Sequence, residues 1–178
     1  NGISLWGSGV NHVDIRENVF EDSEGWALNL NHAQGEIADN IIRDNLLDGP
    51  EWYNDQSGFI IAADNNDLLL TDNTFTDLAT YGVNIYDNFD GPLVGTGNEF
   101  SNCQYGGVRV RPGSPDISEV AFHENNFGGN TAAFQNDSDG ILEASCNWYG
   151  DVSGPAATTP MNAGSGDAVT GDVVFWPW

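Results

Sequence analysis

Arg109 and Arg111 lie two places apart in the run Gly107-Val108-Arg109-Val110-Arg111, and they are half of the four basic residues in this 178-residue chain. Asn84 and Tyr86 hold the matching places in the earlier run Gly82-Val83-Asn84-Ile85-Tyr86. Trp52 and Tyr53 sit at the tip of a polar stretch before that run. An aromatic platform flanked by amide and guanidinium donors suits a sugar chain. A uronate or sulfated chain suits it best, because arginine grips an anion with two parallel hydrogen bonds. These arginines also have a plainer use in neutralising carboxylates such as Asp87 and Asp116, and exposed pairs of that kind contribute little.

The acidic stretches after these runs offer a second chemistry. Asp64, Asp67, Asp87 and Asp90 recur at matching places, and their carboxylates are the hard oxygen ligands that calcium prefers. None of these stretches has the twelve-residue calcium-loop spacing with its terminal Glu. His12 and His32 are a pair without a third ligand, a weak basis for a transition metal. Cys103 and Cys146 fall at different places in the chain's pattern, which points to two buried thiols rather than a bridge. For catalysis, a β-eliminating lyase would use Arg109 or Arg111 with calcium at Asp64 and Asp87. A hydrolase would use two carboxylates, but in a chain with 27 acids some pair always exists. No serine–histidine–acid elbow and no phosphate-cradling glycine loop is present. The residues favour binding over catalysis.

A repeat must position these side chains. Gly2-Ile3-Ser4-Leu5, Gly25-Trp26-Ala27-Leu28, Gly58-Phe59-Ile60-Ile61, Gly82-Val83-Asn84-Ile85, Gly107-Val108-Arg109-Val110 and Thr131-Ala132-Ala133-Phe134 share one pattern, with starts 23, 33, 24, 25 and 24 residues apart. The first five are each followed by Asn-x-Phe or Asn-x-Ile, at Asn18, Asn40, Asn73, Asn98 and Asn125. Alternation of period two means strand, and a fixed interval near 24 residues means stacked coils. Inward positions such as Val83/Ile85 and Val108/Val110 build one continuous core. Outward positions stack into two files: Ser4, Ala27, Ile60, Asn84, Arg109, Ala133 and Trp6, Asn29, Ala62, Tyr86, Arg111, Gln135. The recurring Asn is expected to take a left-handed corner and to bond the Asn of the next coil.

Composition narrows the partners. With 27 acidic residues against 4 arginines and no lysine, the formal charge is −23, which argues against nucleic acid and anionic membrane surfaces. At 39% hydrophobic and 11% aromatic residues, the chain can still bury a core. No window approaches 18 consecutive apolar residues, so membrane insertion through a helix is not expected. In molar salt the Debye length falls to roughly 3 Å, and carboxylates then hold water instead of repelling one another. A salt-adapted, secreted protein is the expectation.

These repeats resemble the right-handed parallel β-helix of pectate-lyase-like proteins over nearly the whole chain. Cys146-Asn147-Trp148-Tyr149-Gly150, Ser153-Gly154-Pro155, Gly166-Asp167-Ala168-Val169 and Trp176-Pro177-Trp178 resemble the closing segment of archaeal and bacterial surface β-helix proteins. There the usual run is Asn-Trp-Trp-Gly, and Tyr149 departs from it. The resemblance implies an all-β solenoid of about six coils over residues 1–149, with an insertion near 48–57. Residues 150–178 would form a loop-rich C-terminal cap ending in a strand. It also implies an extracellular or cell-surface address, without one activity. The paired-Asp, Gly-His-Gly and Arg-x-Lys signatures of polygalacturonase-type members are missing, as is a lyase-like Trp-x-Asp-His run.

The expected function is therefore a non-catalytic module that binds polysaccharide or a cell-surface glycan, or mediates adhesion. A fragment of a polysaccharide lyase or glycoside hydrolase and a purely structural stalk are the alternatives. Since Asn1 already adjoins a strand, the N-terminal edge is expected to meet further coils of a longer parent chain or another subunit.

Overall fold

The structure is a computed structural model that describes residues 2–5, 9, 11–45, 58–62, 66–86, 88–113, 116–157 and 164–178. Counted in chain order, the strands fall into three parallel sheets. The first runs β1 (Ile3–Leu5), β4 (Leu28–Asn31), β7 (Phe59–Ala62), β10 (Tyr81–Ile85), β13 (Gly106–Val110), β16 (Ala132–Asn136), β19 (Gly166–Thr170) and β18 (Pro155–Ala157). The second runs β2 (Asn11–Arg16), β5 (Ala33–Ala38), β8 (Asp67–Thr71), β11 (Leu93–Thr96), β14 (Val120–His123), β17 (Leu142–Glu143) and β20 (Val173–Val174). The third holds β3 (Val19–Glu21), β6 (Ile41–Arg43), β9 (Thr74–Thr76), β12 (Glu99–Ser101) and β15 (Asn126–Gly128). Through most of the stack the chain visits each sheet once per coil, so a residue's neighbours lie one coil above and below it.

Two ladders hold the coils in step. Asn18, Asn40, Asn73, Asn98, Asn125 and Asn147 form a chain in which each side-chain N–H donates to the next Oδ1 at 2.9–3.1 Å. The expected Asn-to-Asn bonding is present. The left-handed corner, however, belongs to the residue before each Asn: Glu17, Asp39, Asp72, Gly97, Glu124 and Cys146 have φ of 53–69°. That backbone twist turns the following Asn inward, where burial makes each amide bond stronger and its loss costlier. Beside this ladder runs an aromatic one. Phe75 and Phe100 stack at 4.8 Å, Phe100 and Phe127 at 4.9 Å, and Tyr149 continues the row at 5.9 Å. Tyr149 is fully buried and its hydroxyl donates to the Ala144 carbonyl at 2.7 Å, so it serves as the last rung of the row.

The aromatic ladder explains the recurring glycines. A Cβ on Gly58, Gly82 or Gly107 would stand 2.8, 2.6 and 2.6 Å from the rings of Phe75, Phe100 and Phe127. Where the alignment differs from the sequence expectation, an alanine takes that glycine's place. Leu28 pairs with Ile3 and Phe59, and Phe134 pairs with Val108, so Ala27 and Ala133 stand where Gly58 and Gly107 do. The outward file is therefore Ser4, Asn29, Ile60, Asn84, Arg109, Gln135, with Asn29 and Gln135 replacing Ala27 and Ala133. A shift of two residues keeps every side chain on the same face, so alternation alone does not reveal it.

The region read as a loop-rich cap also carries structure. β18 and β19 extend the first sheet, and β20 pairs with β17. Asp167 ties β19 to the preceding corner by accepting bonds from the Gly129 and Asn130 backbone N–H groups at 3.1 and 3.0 Å.

The thiols divide. Cys103 is buried, and burial pushes it up to about 12, whereas Cys146 is exposed at its left-handed corner, correcting the expectation of two buried thiols. Because only a thiolate alkylates readily, iodoacetamide at pH 8 should label Cys146 alone in the folded protein and both cysteines in denaturant. Mass spectrometry reads the difference of one adduct.

Candidate functional site

The outer face of the first sheet between β10 and β16 holds most of the expected platform. The register sets Asn84 beside Arg109 and Arg109 beside Gln135. Tyr86 and Arg111 lie just past the ends of β10 and β13, and the Arg111 guanidinium lies 4.5 Å from the centre of the Tyr86 ring. That distance is within reach of a cation–π contact. Arg109 lies 5.4 Å from the Tyr81 ring and bonds Asp137 Oδ2 through Nε at 2.9 Å. Among the described residues, its carboxylate partner is Asp137 rather than Asp116.

Tyr81 and Gln135 join the site as partners of Arg109. The Tyr81 hydroxyl donates to Gln135 Oε1 at 2.8 Å, and the Gln135 amide donates to Asp137 at 2.9 Å. Burial, partly countered by Arg109, raises the Tyr81 phenol above its ordinary value and keeps it a donor. Tyr81 reaches two coils along because it lies across Gly106, where a Cβ would stand 3.4 Å from its ring. Tyr105, one register place earlier on the next coil, meets the Tyr81 ring edge-on at 5.8 Å.

Asn84 behaves differently from an exposed donor. It lies on the outward file, yet it is fully buried, and neither its side-chain oxygen nor its nitrogen has a hydrogen-bond partner. Leaving such a group unmade costs about 1–3 kcal/mol.

Other expected site residues are scattered. Trp52, Tyr53, Asp64 and Asp87 lie outside the described residues. Asp67 and Asp90 are both exposed, but the register pairs Leu68 with Leu93, so they are offset rather than opposite. His12 stands on β2 opposite Gln34, not His32. Among the described residues, no three His, Cys, Asp or Glu side chains gather closely enough to hold a metal.

No curated protein and no solved structure matches the chain. The family model for the right-handed beta helix region matches residues 1–153. Three parallel sheets coiled in register over that same span agree with the match, and the chain belongs to the right-handed β-helix family.

Proposed function

We propose that this chain is an extracellular or cell-surface β-helix module that binds an acidic glycan on the outer face of its first sheet. The observation that carries the reading is the pair of arginine–tyrosine contacts on that face, Arg109 over Tyr81 at 5.4 Å and Arg111 over Tyr86 at 4.5 Å. A uronate or sulfate would take the guanidiniums, and the Tyr86 ring gives a pyranose an apolar surface. The Tyr81–Gln135–Asp137 network fixes Arg109 in place, which reduces the ordering cost of binding. This reading routes nothing through a cation. The large negative charge elsewhere on the chain fits a salt-adapted surface on which long-range repulsion of an acidic ligand is screened.

Calorimetry with polygalacturonate, a sulfated glycan and a neutral polymer tests this in molar NaCl. The acidic polymers should bind and the neutral one should not compete at this face. Arg111→Lys keeps the charge but loses the two-pronged bond, and Tyr86→Ala loses the stacking surface. Each should weaken binding about tenfold, corresponding to roughly 1.4 kcal/mol. No acidic binder, or binding indifferent to both changes, would leave the stalk reading in its place.

A further inference from the structure

The outer face of the third sheet carries a groove that the acidic-glycan site does not use. Its volume is about 340 Å³, at the small end of the range of roughly 300–1,000 Å³ for ligand pockets. Glu99, Ser101, Asn126, Gly128, Trp148 and Gly150 line it. The register explains the arrangement. Glu99 pairs with Asn126, and Asn126 bridges to Trp148, so carboxylate, amide and indole form one outward file on three successive coils. Ser101, Gly128 and Gly150 form the file beside it, where the two glycines leave bare backbone as a floor. Inward of both files lies the Phe100–Phe127–Tyr149 ladder, which packs beneath this floor.

Three features of the groove point to a ligand. Trp148 is 43% exposed, although the aromatic on its other side, Tyr149, is completely buried. Among the described residues, the Glu99 carboxylate, the Asn126 amide and the Trp148 indole N–H have no side-chain hydrogen-bond partner, while neighbouring Ser101 and Thr76 are bonded to each other at 3.0 Å. Finally, a Cβ built on Gly128 meets nothing within 4 Å. A side chain would fit there without strain, since Gly128 is an ordinary strand residue and not a left-handed one.

We infer that this groove is a second binding site, and that its ligand is a neutral pyranose. A pyranose has an apolar C–H face that stacks on an indole and a hydroxyl edge that needs donors and acceptors. Glu99 accepts from two adjacent hydroxyls, and Asn126 both donates and accepts next to it. The bare floor at Gly128 and Gly150 lets the ring edge approach the backbone. The Glu99 side chain lies on a chain of formal charge −23, which repels a uronate, so the charge preference is opposite to that of the arginine face. The inference is independent of the acidic-glycan reading: the two sites share no residue and lie on different sheets.

The test titrates the whole chain with a β-1,4-linked glucose tetramer, a galacturonate tetramer and choline, followed by tryptophan fluorescence and calorimetry. The glucose tetramer should bind with a fluorescence change, and Trp148→Ala should weaken it at least tenfold. Gly128→Thr fills the groove and should abolish binding with the melting temperature unchanged or raised, which separates blocked access from damaged folding. Arg111→Lys should leave this binding untouched. Absence of glucose-tetramer binding, retention of it in Gly128→Thr, or preference for galacturonate or choline would each overturn the inference.

Discussion

Asn98→Ala should lower the melting temperature by roughly 10 °C, the largest loss expected from any single change at a polar position. The Asn98 side-chain N–H groups donate to the Leu70 carbonyl at 2.9 Å, to Thr96 at 3.2 Å and to Asn125 Oδ1 at 2.9 Å. Its oxygen accepts both the backbone and the side-chain N–H of Asn73 at 3.0 Å. Alanine supplies none of these and leaves buried partners on both neighbouring coils unmatched. Each unmatched group costs about 1–3 kcal/mol, and part of that cost is recovered as neighbours relax, so about 3–5 kcal/mol is expected. For a chain of this size, 1 kcal/mol corresponds to about 2–4 °C. Asn126→Ala is the matched control, because that residue is exposed and its amide has no side-chain partner among the described residues; it should shift the melt by less than about 1 °C. Thermal melts followed by circular dichroism decide. If the two variants melt alike, the Asn ladder does not hold the coils.

Asn84→Leu should have the opposite sign. It replaces a buried amide whose two polar atoms are unmatched with an apolar side chain of similar size, next to Ile60 in the same file. Removing both unmatched atoms together should stabilise by roughly 2 kcal/mol, or about 4–8 °C. The same variant should leave polygalacturonate binding essentially unchanged, because a fully buried residue does not touch the ligand. A lower melting temperature would show that the Asn84 amide is hydrogen-bonded in solution.

The two predictions differ in how much of each the sequence alone supplies. The Asn ladder was legible because it depends on one repeat interval and on one residue type that recurs beside Phe or Ile. Stacking at a fixed interval brings equal positions together whatever the rest of the chain does. The face on which Asn84, Tyr86, Arg109 and Arg111 lie was legible for a similar reason, since strand alternation assigns faces two residues at a time. That same periodicity is blind to a shift of two residues. Hence Ala27 and Ala133 were placed where Asn29 and Gln135 stand; the Leu28 and Phe134 pairings reveal the shift.

Burial and pairing belong to the tertiary structure. Asn84 reads as an exposed donor in sequence, because alternation shows which way a side chain points and not what lies over it. Tyr81 belongs to neither outward file in the sequence, and only the stacking of three coils brings its hydroxyl to Gln135. Trp148 and Tyr149 are adjacent aromatics of similar hydrophobicity, yet one is buried in the ladder and the other faces a groove. By itself the sequence determined the coil, its repeat and the face of each strand residue, because these follow from local periodicity. Which polar groups are matched, which arginine meets which carboxylate, and where a groove opens were decided by contacts between coils more than 20 residues apart, to which alternation is insensitive.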